Sequence, residues 1–356
     1  MTRRVLHVLS TVEGGGVAQP CELAVHAVRS GGAAVVASSG GDPRHAAVDE
    51  AREAGVRFVP LPAQSRRRAA AVVRLARDAD LVHVHGTRAA AWSLPAVAGF
   101  SSVVTLHGLH PLRRPAAGAY RLAARGLLTA LGAAADAVVC VSDADASDLR
   151  RLAWARRVRV VRNAVREQPV VSARERRAAR AQLGVPDGRL TVLVPGRLHE
   201  QKDPLTALAV ARRLGDHAVV LLAGDGELAG RVRTAAGPNV RLLGHLPTLR
   251  PALAASDVVL STALWEGLPL TLLEAMWAGR PIVASDVPGN AEAVGGAALL
   301  APPGDADALA AAVRELADER RRAELAARAR HHVARTFALD EMLRGTEAVY
   351  DEVLGS

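Results

Sequence analysis

The sequence predicts an α/β protein made of two doubly wound domains, each a parallel sheet wrapped by helices. Two observations carry this expectation. Short apolar runs of strand length alternate with helical patterns along the whole chain, an order that calls for parallel pairing through helical crossovers. The rhythm stops in a charged, turn-rich stretch over residues 167–189, which holds Pro169 and Pro186, and restarts near Thr191. At 356 residues the chain can bury two cores of ordinary size. The spacing predicts a first domain over residues 1–168, a linker over 169–189 and a second domain over 190–335. A C-terminal helix over 336–356 is expected to pack back toward the first domain.

In the first domain the runs 5–9, 34–38, 81–84, 102–106, 137–141 and 158–162 read as strands. They are rich in Val, Leu and Ala and are bounded by Gly, Asp, Ser or Pro. In the second domain the runs 191–195, 218–223, 240–243, 258–260, 281–284 and 298–300 read the same way. The segment 305–356 is helical, dense in Arg, Glu and Ala until about His331. Phe337, Met342 and Tyr350 then anchor a final helix, while residues 318–322 form a solvated charged face.

Composition excludes several classes. The net charge is +9, but the basic residues are dispersed and aromatics make up 3%, too few to stack bases, so no nucleic acid partner is expected. Half the residues are hydrophobic, which fits a globular chain. No run of 18 apolar residues occurs, so no transmembrane segment is predicted, although weak peripheral contact with anionic lipid is compatible with the charge. Cys21 and Cys140 lack metal spacing and read as reduced core thiols, and the N-terminus lacks a signal-peptide run. A cytoplasmic location is therefore expected, with the inner membrane face as a site of peripheral contact.

The stretch with most chemistry is residues 265–286, WEGLPLTLLEAMWAGRPIVASD. Glu266 and Glu274 stand either side of a predicted helix start at Gly267-Leu268-Pro269, with Pro269 just inside it and Gly279 closing it. Carboxylates can bind sugar hydroxyls, while the first helical amides and the helix dipole hold an anion. A sugar joined to a phosphate suits both.

Other loops at predicted strand ends add to this. Glu13-Gly14-Gly15-Gly16 follows the first strand, and Pro20 opens a helix, which lets backbone approach a phosphate without forming a Walker loop. Gly196-Arg197-Leu198-His199-Glu200-Gln201-Lys202 opens the second domain, and Lys202 is the only lysine in the chain. A guanidinium and a compact ammonium five residues apart form a credible diphosphate clamp. Gly224-Asp225-Gly226 and Gly244-His245 close two more strands and could read a nucleotide base. His83 and His85 share one face of a strand, but no carboxylate or cysteine lies at close spacing, so no metal site is predicted. His83 reads as a core histidine, and His107, before a glycine at a strand end, as a hydrogen-bond donor in a ligand crevice.

Together Gly14–Gly16, His107-Gly108, Asn163-Ala164-Val165, Gly196-Arg197-Leu198 with Lys202, Gly224-Asp225-Gly226 and the Glu266…Glu274 block resemble a family 4 retaining glycosyltransferase of glycosyltransferase group 1. The resemblance implies the GT-B architecture, two Rossmann-like domains facing an interdomain cleft. It also implies retaining, metal-independent transfer of a hexosyl group from a UDP-sugar or GDP-mannose to an acceptor hydroxyl. By this resemblance Arg197 and Lys202 neutralise the donor diphosphate, Glu274 takes the ribose hydroxyls and Glu266 the donor sugar. Gly16 and the amides near Leu270 and Thr271 touch phosphate, His107 lies near the donor sugar's 6-position or the developing charge, and Gly15, Gly224, Asp225, His245 and Gly267 complete the donor-binding set. The catalytic set is then His107, Glu266, Arg197 and Lys202. No cofactor is implied beyond the nucleotide sugar as co-substrate; the acceptor is a glycan, a lipid-linked molecule or a small molecule, in glycan or glycoconjugate biosynthesis. Asn163-Ala164-Val165 replaces the commoner Asn-Gly-Val, and residues 287–292 depart from a commoner Gly-Gly pair. A GT-B sugar-nucleotide epimerase and a non-catalytic sugar-nucleotide-binding subunit are the competing readings.

Overall fold

Each apolar run is followed by a helix, and a helical crossover returns the chain parallel to the strand it left. The computed structural model describes residues 3–10, 16–39, 46–113, 118–155, 157–186 and 188–355. It forms two units, one of Met1–Ala164 with Leu339–Ser356 and one of Val165–Ala338.

The first unit holds β1 (Arg4–Leu9), β2 (Ala33–Ser39), β3 (Arg57–Leu61), β4 (Leu81–His85), β5 (Ser102–Leu106), β6 (Ala137–Cys140) and β7 (Val158–Val160). All pair in parallel in the order β3-β2-β1-β4-β5-β6-β7. Alternate residues serve opposite faces. Leu6, Val8, Val82, Val84 and Val104 meet the helices Ser65–Ala76, Thr87–Gly99 and Gly118–Ala134. Val5, Leu81, Val103 and Val139 meet Met342, Val349 and Tyr350 of the helix Leu339–Leu354. Arg3 ties that last helix down through Glu347 at 2.8 Å and through Asp351.

β3 has no counterpart in the sequence expectation. It is an edge strand with little burial and with Pro60 inside it, so it carries neither an apolar run nor a clean alternation.

The second unit holds β8 (Leu190–Pro195), β9 (Ala218–Ala223), β10 (Val240–Gly244), β11 (Val258–Ser261), β12 (Ile282–Ser285) and β13 (Leu299–Ala301). Their parallel order is β10-β9-β8-β11-β12-β13. Val192, Val220, Leu260 and Val283 pack on Leu208, Leu309 and Val313 of the helices Pro204–Leu214 and Ala306–Glu315.

The stretch expected as a linker is structured inside this unit. Ser172 caps the helix Ala173–Gln182 by accepting from the Glu175 amide at 3.1 Å. Arg176 and the buried Arg180 pair with the buried Asp257, and Arg250 grips Glu175 at 2.6 and 2.8 Å. Charges that read as part of a linker are paired within the fold.

Candidate functional site

In a doubly wound sheet the strand order turns at one point, and loops leaving the carboxyl ends of the two strands there diverge around a crevice. In the second unit those strands are β8 and β11. The loop after β8 carries Arg197, Gln201 and Lys202; the loop after β11 carries Glu266. Two glycines let the strand ends meet. A Cβ on Gly224 (φ +150°) would stand 1.9 Å from the Gly196 carbonyl oxygen, and one on Gly196 (φ +148°) would press within 3.3 Å on the Lys202 stem.

The two loops interlock through side chains. Lys202 Nζ bonds Glu266 Oε1. Gln201 Nε2 donates to Glu266 Oε2 at 3.1 Å and to the Trp265 carbonyl at 3.0 Å, while Gln201 Oε1 accepts from Arg197 Nη2 at 3.2 Å. The Leu264 amide donates to the Gln201 carbonyl at 2.8 Å, and Thr262 Oγ1 to the Lys202 carbonyl at 2.8 Å. Asp203, held at φ 44°, caps the helix Pro204–Leu214 through Thr206 and so ends the clamp loop firmly. Glu266 is 5% exposed, a buried carboxylate whose charge is met by Lys202.

The helix Leu270–Trp277 begins after Pro269, which is its N-cap and not its first helical residue. The helix therefore starts one residue later than expected, and its first amides at Leu270 and Thr271 have no carbonyl within the helix to bond. Glu274 sits one turn in, half-buried, and burial pushes its carboxyl up to about 7. Behind the loop stands Gly289, where a Cβ would come within 2.4 Å of the Gly267 carbonyl oxygen. The departure noted at residues 287–292 therefore backs the Glu266–Gly267 segment directly.

Other site residues lie apart from this knot. Asp225 is exposed; its carboxylate accepts from the Gly226 amide at 2.7 Å and its carbonyl from the Leu198 amide at 2.9 Å. His245 is exposed at the end of the edge strand β10, with β9 between it and β8. Gly16 is exposed just before the helix Ala18–Arg29, and Gly15 falls outside the described residues.

In the first unit the histidines form a layer. His83 is a satisfied core histidine, with Nδ1 2.6 Å from the Tyr350 hydroxyl and Nε2 2.7 Å from Thr105 Oγ1. His7, opposite His83 in register, places Nδ1 3.1 Å from His85 Nε2, and His107 stacks on His85 with ring centroids 5.6 Å apart. Ring nitrogens of His7, His83 and His85 lie within 4.8 Å of one another, a grouping invisible in the sequence because His7 comes from another strand. Both His83 nitrogens are engaged, by Tyr350 and Thr105, so the layer reads as a polar network. Burial lowers His107 to about 4, which favours its neutral form.

Gln201 is the residue the sequence reading passed over. It was one letter in a loop, and only its burial at 4% exposure and its contacts across the fold mark it out.

Two family models fit the chain: Glycosyltransferase Family 4 over residues 14–168 and Glycosyl transferases group 1 over residues 189–319. The chain belongs to the family 4 glycosyltransferases. The lipopolysaccharide core biosynthesis glycosyltransferase LpsE of Rhizobium meliloti is 31% identical over 212 residues, 57% of this chain and 60% of that protein. The alpha-maltose-1-phosphate synthase of Mycolicibacterium smegmatis is 30% identical over 63% of this chain and 64% of its own length. The chain thus spans less than two thirds of the length of these curated relatives. Among solved structures, Anabaena HepE in complex with UDP-glucose superposes with a TM-score of 0.86 over 98% of this chain and 100% of that one, at 21% identity. This likeness places the family member in the GT-B fold. No described helix is long and apolar enough to cross a membrane.

Proposed function

We propose that this family 4 glycosyltransferase moves a hexosyl group from a UDP-sugar to an acceptor hydroxyl, with retention at the anomeric carbon and without a metal ion. The observation that carries the reading is the knot of Arg197, Gln201, Lys202 and Glu266 at the switch point of the second sheet, beside the start of the helix Leu270–Trp277. Departure of a nucleoside diphosphate builds negative charge on the β-phosphate. Arg197, Lys202 and the helix N-terminus offer preorganised positive potential there, the role a metal ion serves elsewhere. Glu266 is the sugar-facing carboxylate and Glu274 the ribose-facing one. In the step itself the acceptor oxygen attacks the anomeric carbon from the leaving-group face. The bond to the phosphate oxygen breaks, and that phosphate takes the acceptor proton. The UDP-glucose complex of HepE supports the uracil base, and a mannosyltransferase relative, LpsB of Rhizobium meliloti (33% identical over 42% of this chain), keeps GDP-mannose as the second donor to try.

Thermal shift against UDP, GDP, ADP and TDP sugars, followed by donor consumption with and without chelator, tests the reading. UDP-sugar stabilisation and chelator-resistant turnover are expected; no response to any nucleotide sugar overturns it. Recovery of a sugar covalently attached to Glu266 overturns the front-face step. Conversion of the nucleotide sugar to an epimer without acceptor marks an epimerase instead.

A further inference from the structure

We infer that Gln201 is a positioning residue for the transfer, its carboxamide locking the phosphate-facing Arg197 and the sugar-facing Glu266 into one geometry. This rests on the donor reading above and adds a residue to it. The amide nitrogen faces two acceptors, the Trp265 carbonyl and Glu266 Oε2, and the amide oxygen faces the Arg197 guanidinium. Only a primary amide of this length both donates and accepts in that way; a glutamate cannot donate, and a lysine cannot accept. The main chain of Gln201 adds two bonds, to His199 Nδ1 at 3.0 Å and from the Leu264 amide at 2.8 Å. The side chain is buried, so these bonds are shielded from competing water.

The arrangement also solves a problem of sequence in binding. Glu266 is held on one oxygen by Lys202 and on the other by Gln201. When a diphosphate draws Lys202 away, Gln201 still holds the carboxylate in place for the sugar. Arg197 is exposed and long, and its bond to Gln201 spares it the entropy of being ordered by the ligand.

The test compares Gln201→Met, which keeps the volume and removes the polar atoms, with Gln201→Glu, which keeps an acceptor for Arg197 but sets a second carboxylate against Glu266. Asn239→Ala is the folding control. Asn239 bonds the Ala211 and Gly215 carbonyls at 2.8 Å and precedes β10, at the sheet end opposite the donor loops. UDP affinity by calorimetry, kcat/KM for UDP-glucose consumption and melting temperature are measured on each. Gln201→Met is expected to lower kcat/KM by about tenfold or more, a loss of about 1.4 kcal/mol per decade, and Gln201→Glu further still. Combined with Glu266→Gln, Gln201→Met is expected to cost less than the two losses added. Asn239→Ala should lower the melting temperature and leave kcat/KM unchanged. Gln201→Met behaving like Asn239→Ala, less stable but with native UDP affinity and turnover, overturns the positioning role alone. A wild-type chain that binds neither UDP nor GDP overturns the donor reading itself, and the positioning role with it.

Discussion

The proposed chemistry leans on a single ammonium. Lys202 is the only lysine of the sequence, and it lies over a glycine that leaves room for its stem. Lys202→Ala is expected to lower kcat by roughly 10²–10³, the usual cost of removing one group that stabilises a developing anion. The melting temperature should fall as well, because the variant removes the Lys202 cation from the buried Glu266 carboxylate; a normal turnover number would show the clamp to be elsewhere. A glycine makes the second prediction at this scale. Gly289→Ala would press a methyl group within 2.4 Å of the Gly267 carbonyl oxygen, and the overpacking should cost about 1–3 kcal/mol. Because the displaced backbone carries Glu266, UDP-glucose affinity should fall with stability, as calorimetry would reveal. Native affinity in that variant would mean the loop yields without moving the carboxylate.

Two elements carry opposite pH responses. In the histidine layer of the first unit, burial lowers His7 to about 3 and His107 to about 4, and His83 and His85 well below the ordinary value. The unfolded chain, with histidines near about 6.5, takes up protons first, so this part of the stability is complete above about 6.5 and is lost as pH falls toward 4. Denaturant unfolding of the first unit should therefore weaken steeply in that window, and His85→Gln should flatten the slope. Glu274 works in reverse. Its folded value of about 7 exceeds the unfolded value near about 4.3, so its share is full below the unfolded value and is lost as pH rises through 7. Glu274→Gln should remove that decline in the second unit; an unchanged pH profile would place the carboxyl in water.

For the whole molecule, the chain order matters as much as the sheets. The last helix, Leu339–Leu354, follows the second unit in sequence but belongs to the first, covering Val5, Leu81 and Val103. Truncation after Ala338 should uncover that face, so amides of β1 and β4 would exchange faster with solvent. The response of the second unit to UDP should survive, since its donor loops keep every contact described above. A nucleotide at about a hundred times its dissociation constant adds about 2.7 kcal/mol to whichever unit binds it, which makes the two separable by calorimetry. Loss of the UDP response on truncation would show that donor binding depends on the missing helix.

Local signals along the chain are enough for the two parallel sheets, the restart near Thr191, the loops that hold Arg197, Lys202 and Glu266, and the helix that carries Glu274. Apolar period, turn residues and loop glycines are local signals, and each is written where it acts. The sequence by itself could not show β3, whose edge position and Pro60 leave no apolar pattern, nor the helix Ala173–Gln182, whose charged residues find their partners only when Asp257 and Arg250 come beside them. Only the tertiary structure brought His7 beside His85, set Gly289 behind Gly267 and joined Gln201 to both Arg197 and Glu266. Those partners are distant along the chain, and hydrogen bonds between loops depend on sheet order, which no short stretch of residues encodes.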